Sequence, residues 1–257
     1  MKKIGLILAL FVLSIFGVVG LKYLTNKPQK TTGAPPYLVE DLQPPNDPYS
    51  WIRDWERPSG PAKVGLQVGH WKNAELPEEL ARLKGNTGAQ GGGKFEWEVN
   101  LRIAQLTGDI LKDHGVEVDI FPSTVPIDYW ADVFVAIHAD GSTDYSKSGF
   151  KIATPRRDYT GKAKALQSYI ELEYQNATKL VIDPNITRNM TGYYAFAWWR
   201  YDHAVHAMTA SAILETGFLT NPSDRKVIVS QPQLSAFGLA NGIIGFLQSE
   251  GLLDDKD

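Results

Sequence analysis

The chain has no cysteine among its 257 residues. Disulfides, thiol nucleophiles and cysteine-ligated zinc are excluded, so any metal must be held by histidine and carboxylate. There is no excess of basic charge either: 26 Lys and Arg stand against 29 Asp and Glu, a formal net charge of -3. Nucleic-acid binders usually present a basic face, and nothing here favours that class. What is present is 43% hydrophobic and 21% charged, the balance of a globular chain with a real core.

The N-terminus bears on location. Lys2 and Lys3 precede Ile4 to Leu21, a run of 18 residues without a charge. About 20 apolar residues span a bilayer core. The lysines belong on the cytoplasmic side, which exports the rest of the chain. A cleaved signal peptide is the competing reading, but no Ala-x-Ala site follows the run. The expectation is an uncleaved anchor over 1–22 and a single-pass protein of the cell membrane with its catalytic domain extracytoplasmic. Residues 23–61 are dense in proline, including Pro35, Pro36, Pro44, Pro45, Pro48 and Pro58, and read as a semi-extended tether. Trp51 and Trp55 lie in its last part and predict docking on the domain. Residues 62–250 read as one catalytic domain and 251–257 as a tail.

Within 62–250, strand and helix patterns alternate. Val64 to Val68 is a short apolar strand, Glu96 to His114 has helical spacing, and Val116, Val118 and Ile120 alternate as a strand. Val133 to Ile137 and Ala210 to Leu214 are continuous apolar runs, typical of buried strands. Phe150 to Ala153 forms another strand, and Gly161 to Thr178 and Gln233 to Leu247 form helices. The expected fold is α/β, a mostly parallel twisted sheet covered by helices on both faces.

In such sheets ligands sit outside the carboxyl ends of the strands. The first strand stops at His70 in "VGLQVGHW", and "VFVAIHAD" runs into His138. "SAILETGFLTN" runs into Glu215, and Glu96 opens the helix after a glycine-rich loop. A lone histidine at a strand end is ordinarily a polar residue at the edge of a core. Two histidines and two glutamates at one sheet edge are different, because an apolar strand has no reason to bury an unpaired carboxylate. Two histidines and a glutamate form a known catalytic zinc set, with one coordination position open. His70, Glu96 and His138 would be the ligands, with Glu98 a second candidate for the middle place. Glu215 would then be the general base.

These segments resemble the zinc-dependent N-acetylmuramoyl-L-alanine amidases of the amidase type 3 family. Members have a strand ending in Gly-His, a helix opening Glu-x-x-x-Asn-Leu-x-Ile-Ala, a strand ending Ser-Ile-His-Ala-Asn, and Glu-x-Gly-Phe-Leu-x-Asn. Here "GH", "EWEVNLRIA", "VAIHAD" and "ETGFLTN" follow in that order. The alignment selects Glu96, four residues before Asn100, over Glu98. The resemblance implies one Zn2+ ion and cleavage of the amide between muramic acid and L-alanine. Peptidoglycan would be the substrate, and no nucleic acid or nucleotide a partner. Asp224 falls where members often carry an acid. Arg188, in "NITRNM", falls where members often have an arginine and implies a contact with substrate.

The chain leaves the family pattern at three places. Gln67-Val68 replace a common Asp-Pro or Asp-Ala before Gly69-His70, and Trp71 stands where glycine is usual. "FPSTVPIDYWAD", residues 121–132, is compressed and has no arginine. These departures motivate two alternatives: a wall-binding or regulatory module with little turnover, or a zinc peptidase acting on another wall amide.

Other signals are weaker. "GAQGGGK" nearly fits a phosphate-binding loop, but Phe95 stands where Ser or Thr must hold magnesium. His203 and His206 share an i, i+3 spacing that can face one metal and would edge the cleft. The aromatic segment "AFAWWRY" reads as core or packed lid, with a sugar-stacking platform as the sharper alternative.

Overall fold

The computed structural model describes residues 50–254. The N-terminal anchor and most of the tether predicted above lie outside the described residues. Among those described, no helix is long and apolar enough to cross a membrane.

A short helix, α1 (Ser50–Arg53), precedes strand β1 (Lys63–Val68). A two-residue hairpin follows, β2 (Gln90–Gly91) and β3 (Lys94–Phe95), which leads into helix α2 (Glu96–Asp113). Next come β4 (Glu117–Phe121), β5 (Val133–Asp140), β6 (Lys151–Ala153) and helix α3 (Ala163–Thr178). The single-turn helix α4 (Arg188–Thr191) precedes β7 (Ala210–Phe218), α5 (Pro222–Ile228) and α6 (Pro232–Ser249). The main sheet has the order β4-β1-β5-β7-β6. β1 runs parallel to β4 and β5, β5 runs parallel to β7, and β6 is the antiparallel edge.

Side chains alternate across a strand, so each strand feeds two cores. Val64, Leu66, Val135, Ile137, Ala212 and Leu214 point to one face, where α2, α3 and α6 pack on them. Phe134, Ala136 and Ile213 point to the other, which is closed by Leu76, Leu80, Val125, Met190, Tyr194 and Phe196. The expectation of helices on both faces needs correction. All three long helices lie on the first face, while single-turn helices and loops cover the second. The polar alternation of β5 and β7 explains this. Their second-face positions include His138 and Glu215, which a continuous apolar helix stripe could not cover without leaving them unpaired.

Residues 50–57 lie against the domain. Trp51 meets Trp198 edge-on at 5.3 Å between ring centres, and Trp55 sits 5.5 Å from Trp130 and 5.6 Å from His206. The Arg57 guanidinium forms two bonds to the Asp132 carboxylate, at 2.6 and 2.8 Å. The Lys63 amide donates to the same carboxylate at 2.8 Å, which fixes the start of β1.

Candidate metal centre

β1 stops at Val68 because the chain turns at Gly69-His70. His70 adopts the left-handed region, φ 63°, sparsely occupied by residues other than glycine. Such backbone clusters at functional sites. Gly69 is required for a separate reason. A Cβ at this position would run into the imidazole of His138, which lies against the Gly69 backbone. His70 and His138 then meet edge-to-face at 5.1 Å.

Glu96 is delivered by the glycine-rich hairpin and is almost fully buried. Its Oε2 accepts from the Ala89 amide at 2.7 Å, and its Oε1 from the Ala139 amide at 3.1 Å. Asn100, one turn on, donates to Glu96 Oε1 and to the Gly69 carbonyl, both at 3.4 Å. Gly88, at φ 71°, leaves the space that Glu96 Oε2 and His70 occupy. Glu98 instead turns back to cap the Phe95 amide at 2.9 Å and takes no part in the site.

The three side chains converge. Glu96 Oε1 lies 3.0 Å from His138 Nδ1 and 3.6 Å from His70 Nε2. One donor atom from each of His70, Glu96 and His138 lies within 4.8 Å of the others, the spacing a single metal ion needs. His70 Nδ1–H donates to the Asn86 carbonyl at 3.0 Å, so its Nε2 lone pair faces the cluster. Burial lowers the His70 pKa, against the pull of Glu96, which favours the neutral ligand form. Burial would raise Glu96, but its bonds to His138 and the Ala89 amide and the fields of both histidines hold it below the ordinary carboxylate range. His138 is raised despite burial by its hydrogen bond to Glu96. Metal uptake therefore releases a proton from this pair. Two imidazoles, one ionised carboxylate and an open approach fit a catalytic metal.

Glu215 sits directly across from His138 in the β5–β7 register. Burial, reinforced by the charges of Glu96 and Asp140, raises it to about 8, against the opposing pull of His138 and Lys151. Lys151 is its neighbour on β6 and is held by Asp140 at 2.6 Å and Asp183 at 2.8 Å. Sequence reasoning missed this buried lysine because its partners come from three separate segments. Asp224 anchors the strand end behind Glu215. Its carboxylate accepts from the Phe218 and Gly149 amides at 2.8 and 3.0 Å and from Ser148 Oγ at 2.5 Å.

Two adjoining hollows, of about 410 and 630 Å³, meet at His70, His138, Asp140 and Glu215. The first is also lined by Asn73, Arg82, Lys151, Asn189 and Tyr193; the second by Gln90, Ser142, Thr143, Tyr145 and Thr220. The remaining residues singled out from the sequence sit apart from this centre. Arg188 is exposed and does not line the cleft, although Thr187, Asn189 and Met190 do. Arg82 is the arginine in the lining. His203 and His206 do not reach the centre: His203 donates to the Val125 carbonyl at 2.7 Å, and His206 packs against Trp51 and Trp55. Phe196 and Trp198 pack in the second layer and its aromatic border, not as a platform in the cleft.

A parallel sheet that aims two histidines and a glutamate at its carboxyl edge, with a second, half-buried glutamate opposite, forms a hydrolase type of site compatible with a metal ion. The family model described as N-acetylmuramoyl-L-alanine amidase matches residues 64–245, and the chain belongs to that family. It is an enzyme that hydrolyses the N-acetylmuramoyl-L-alanine amide of peptidoglycan. It is similar to the N-acetylmuramoyl-L-alanine amidase AmiA of Salmonella typhimurium, 26% identical over 210 residues, 63% of this chain and 72% of that one. Its fold is similar to that of the amidase Ami1 of Mycobacterium smegmatis, with a TM-score of 0.54 and 18% identity over 73% of this chain and 97% of that one. It is also similar in fold to an amidase of Clostridium difficile 630, with a TM-score of 0.53 and 18% identity over 75% of this chain and the whole of that one.

Proposed function

We propose that the amidase acts with a zinc ion held by His70, Glu96 and His138, and with Glu215 as general base and acid. The observation that carries this reading is the convergence of the three donor atoms beside Glu215. A bound zinc supplies a Lewis acid for the scissile carbonyl and lowers the pKa of an attacking water. Glu215 takes the proton from that water as it attacks the muramoyl carbonyl carbon. It then returns the proton to the nitrogen of L-alanine as the C–N bond breaks. A carboxyl group with a raised pKa suits both halves of this exchange near neutral pH. Lys151 and Asp140 keep that carboxyl group in a fixed field on the floor of the cleft.

The two hollows suit a substrate with two arms flanking one amide. We assign the stem peptide to the hollow with Arg82, which can pair with a peptide carboxylate, and the glycan to the hollow lined by Ser142, Thr143 and Gln90. Arg188 is left as a rim residue. The setting we propose is outside the cytoplasmic membrane, with residues 1–22 as anchor. Lys2, Lys3 and the uncharged run that follows support it, as does the location of the substrate.

The test is metal analysis combined with mass spectrometry of wall digests. One zinc per chain and free L-alanine-ended peptides are expected. A chain that takes up no zinc, or releases only peptide-crosslink fragments, would overturn the reading.

A further inference from the structure

Gln67 is completely buried beneath the metal centre, at a position where the family commonly has aspartate. Its Nε2 donates to the Ser123 carbonyl at 2.7 Å and to Tyr194 Oη at 3.0 Å. Its Oε1 is buried with no partner. Such an orphan costs about 1–3 kcal/mol, so stability alone does not account for an amide here. Tyr194 Oη also donates to the Ser123 carbonyl. Tyr193 Oη reaches Tyr194 Oη at 3.4 Å, and His138 Nε2 reaches Tyr193 Oη at 3.1 Å.

The direction of every proton in this chain follows from its end. The Ser123 carbonyl can only accept, so Tyr194 spends its hydroxyl proton there. Gln67 spends both amide protons on Ser123 and Tyr194. Tyr194 therefore accepts from Tyr193, and Tyr193, its one proton committed, accepts from His138. His138 therefore donates Nε2–H to Tyr193, and its Nδ1, which donates to Glu96 Oε1 here, is the nitrogen that gives up its proton to face the metal position.

We propose that Tyr193, ordered by Tyr194, Gln67 and the Ser123 carbonyl, is a positioning residue that holds His138 in the tautomer and ring orientation needed to bind metal through Nδ1. The inference rests on the reading of His138 as a ligand. It also gives the departures a common role. An aspartate at position 67 has no proton for the Ser123 carbonyl when ionised. The compressed segment 121–132 supplies that carbonyl, and the Trp71 carbonyl accepts from the Ser123 amide at 3.0 Å and holds the segment in place.

The experiment measures zinc affinity by chelator competition on the full chain and on Tyr193→Phe, Tyr194→Phe and Gln67→Leu. The tautomer of His138 in the zinc-loaded parent is read by 15N NMR of the imidazole. Tyr193→Phe should weaken zinc binding about 10- to 100-fold, as loss of a partner to a ligating histidine does. Tyr194→Phe and Gln67→Leu should weaken it less. Gln67→Leu also removes the orphan acceptor, so the unfolding midpoint of its metal-free form should hold or rise, which a purely structural role would not produce. The parent should show Nε2–H. Unchanged zinc affinity in Tyr193→Phe, or Nδ1–H in the parent, overturns the relay and leaves the metal reading standing. A parent that binds no zinc fails at the earlier step and takes the relay with it. If Tyr193→Phe does not fold, the parent tautomer and the Gln67→Leu affinity still decide the matter.

Discussion

His138 and Glu215 are direct partners in the β5–β7 register, so an imidazole and a half-buried carboxyl group face each other on one rung of a parallel ladder. Both point to the face without long helices. The ladder sets their separation through backbone hydrogen bonds, which makes their geometry a property of the sheet, not of a loop.

Replacement of Glu215 by Gln should separate binding from chemistry. The amide keeps the shape and cannot accept a proton. Turnover on purified peptidoglycan should fall by about 10²- to 10⁴-fold, the scale of a lost general base. Zinc content should stay at one per chain. A variant with near-parental turnover would remove Glu215 from the proton pathway.

The same carboxyl group makes the metal-free protein sensitive to pH. Its pKa rises from 4.5 to about 8 on folding, chiefly through burial. Between those values the folded state holds a proton that the unfolded chain releases, so its contribution to stability is complete below 4.5 and is lost as pH rises through about 8. Urea denaturation of chelator-stripped protein should show parental stability falling relative to Glu215→Gln from pH 5 to pH 8. A pH-independent gap between the two would contradict this.

Gly69→Ala should damage the site more than the fold. The added methyl is driven against the His138 ring. That ring must shift off its place beside Glu96, and zinc affinity should drop by about 10-fold or more. Chelator competition checks this, with circular dichroism confirming a retained fold. Parental affinity would show that the ring has room to move.

Asp224→Ala should cost stability first. The change strips two buried amides, of Phe218 and Gly149, and the Ser148 hydroxyl of their acceptor. At about 1–3 kcal/mol for each buried group left unpaired, a loss of about 3 kcal/mol or more is expected in urea titrations. A loss below about 1 kcal/mol would mean that water replaces the carboxylate.

Arg82→Ala should raise KM about 3- to 10-fold with kcat little changed, because the side chain lines the cleft and forms no hydrogen bond or ion pair with Glu215 or the His70–Glu96–His138 cluster. Arg188→Ala should leave both unchanged. The reverse pattern would restore Arg188 as the substrate contact.

The absence of cysteine limited any metal site to His and carboxylate ligands, and three apolar strands running into His70, His138 and Glu215, with Glu96 after the glycine-rich loop, pointed to the candidate residues. That was legible because burial of a continuous apolar strand and the polar residue at its end are both local properties of the chain. The tertiary structure decided which face these groups share, since alternation along β5 and β7 has meaning only once their register is set. It put Arg82 in the cleft lining and left Arg188 exposed beside Thr187 and Asn189, which do line it. It also assembled Lys151 with Asp140 and Asp183, and Gln67 with Ser123, Tyr194 and Tyr193. Gln67 and Tyr194 are 127 positions apart in the chain. Hydrogen bonds across that span leave no periodicity in a sequence; they exist only where the sheet and the second layer bring the donors and acceptors together.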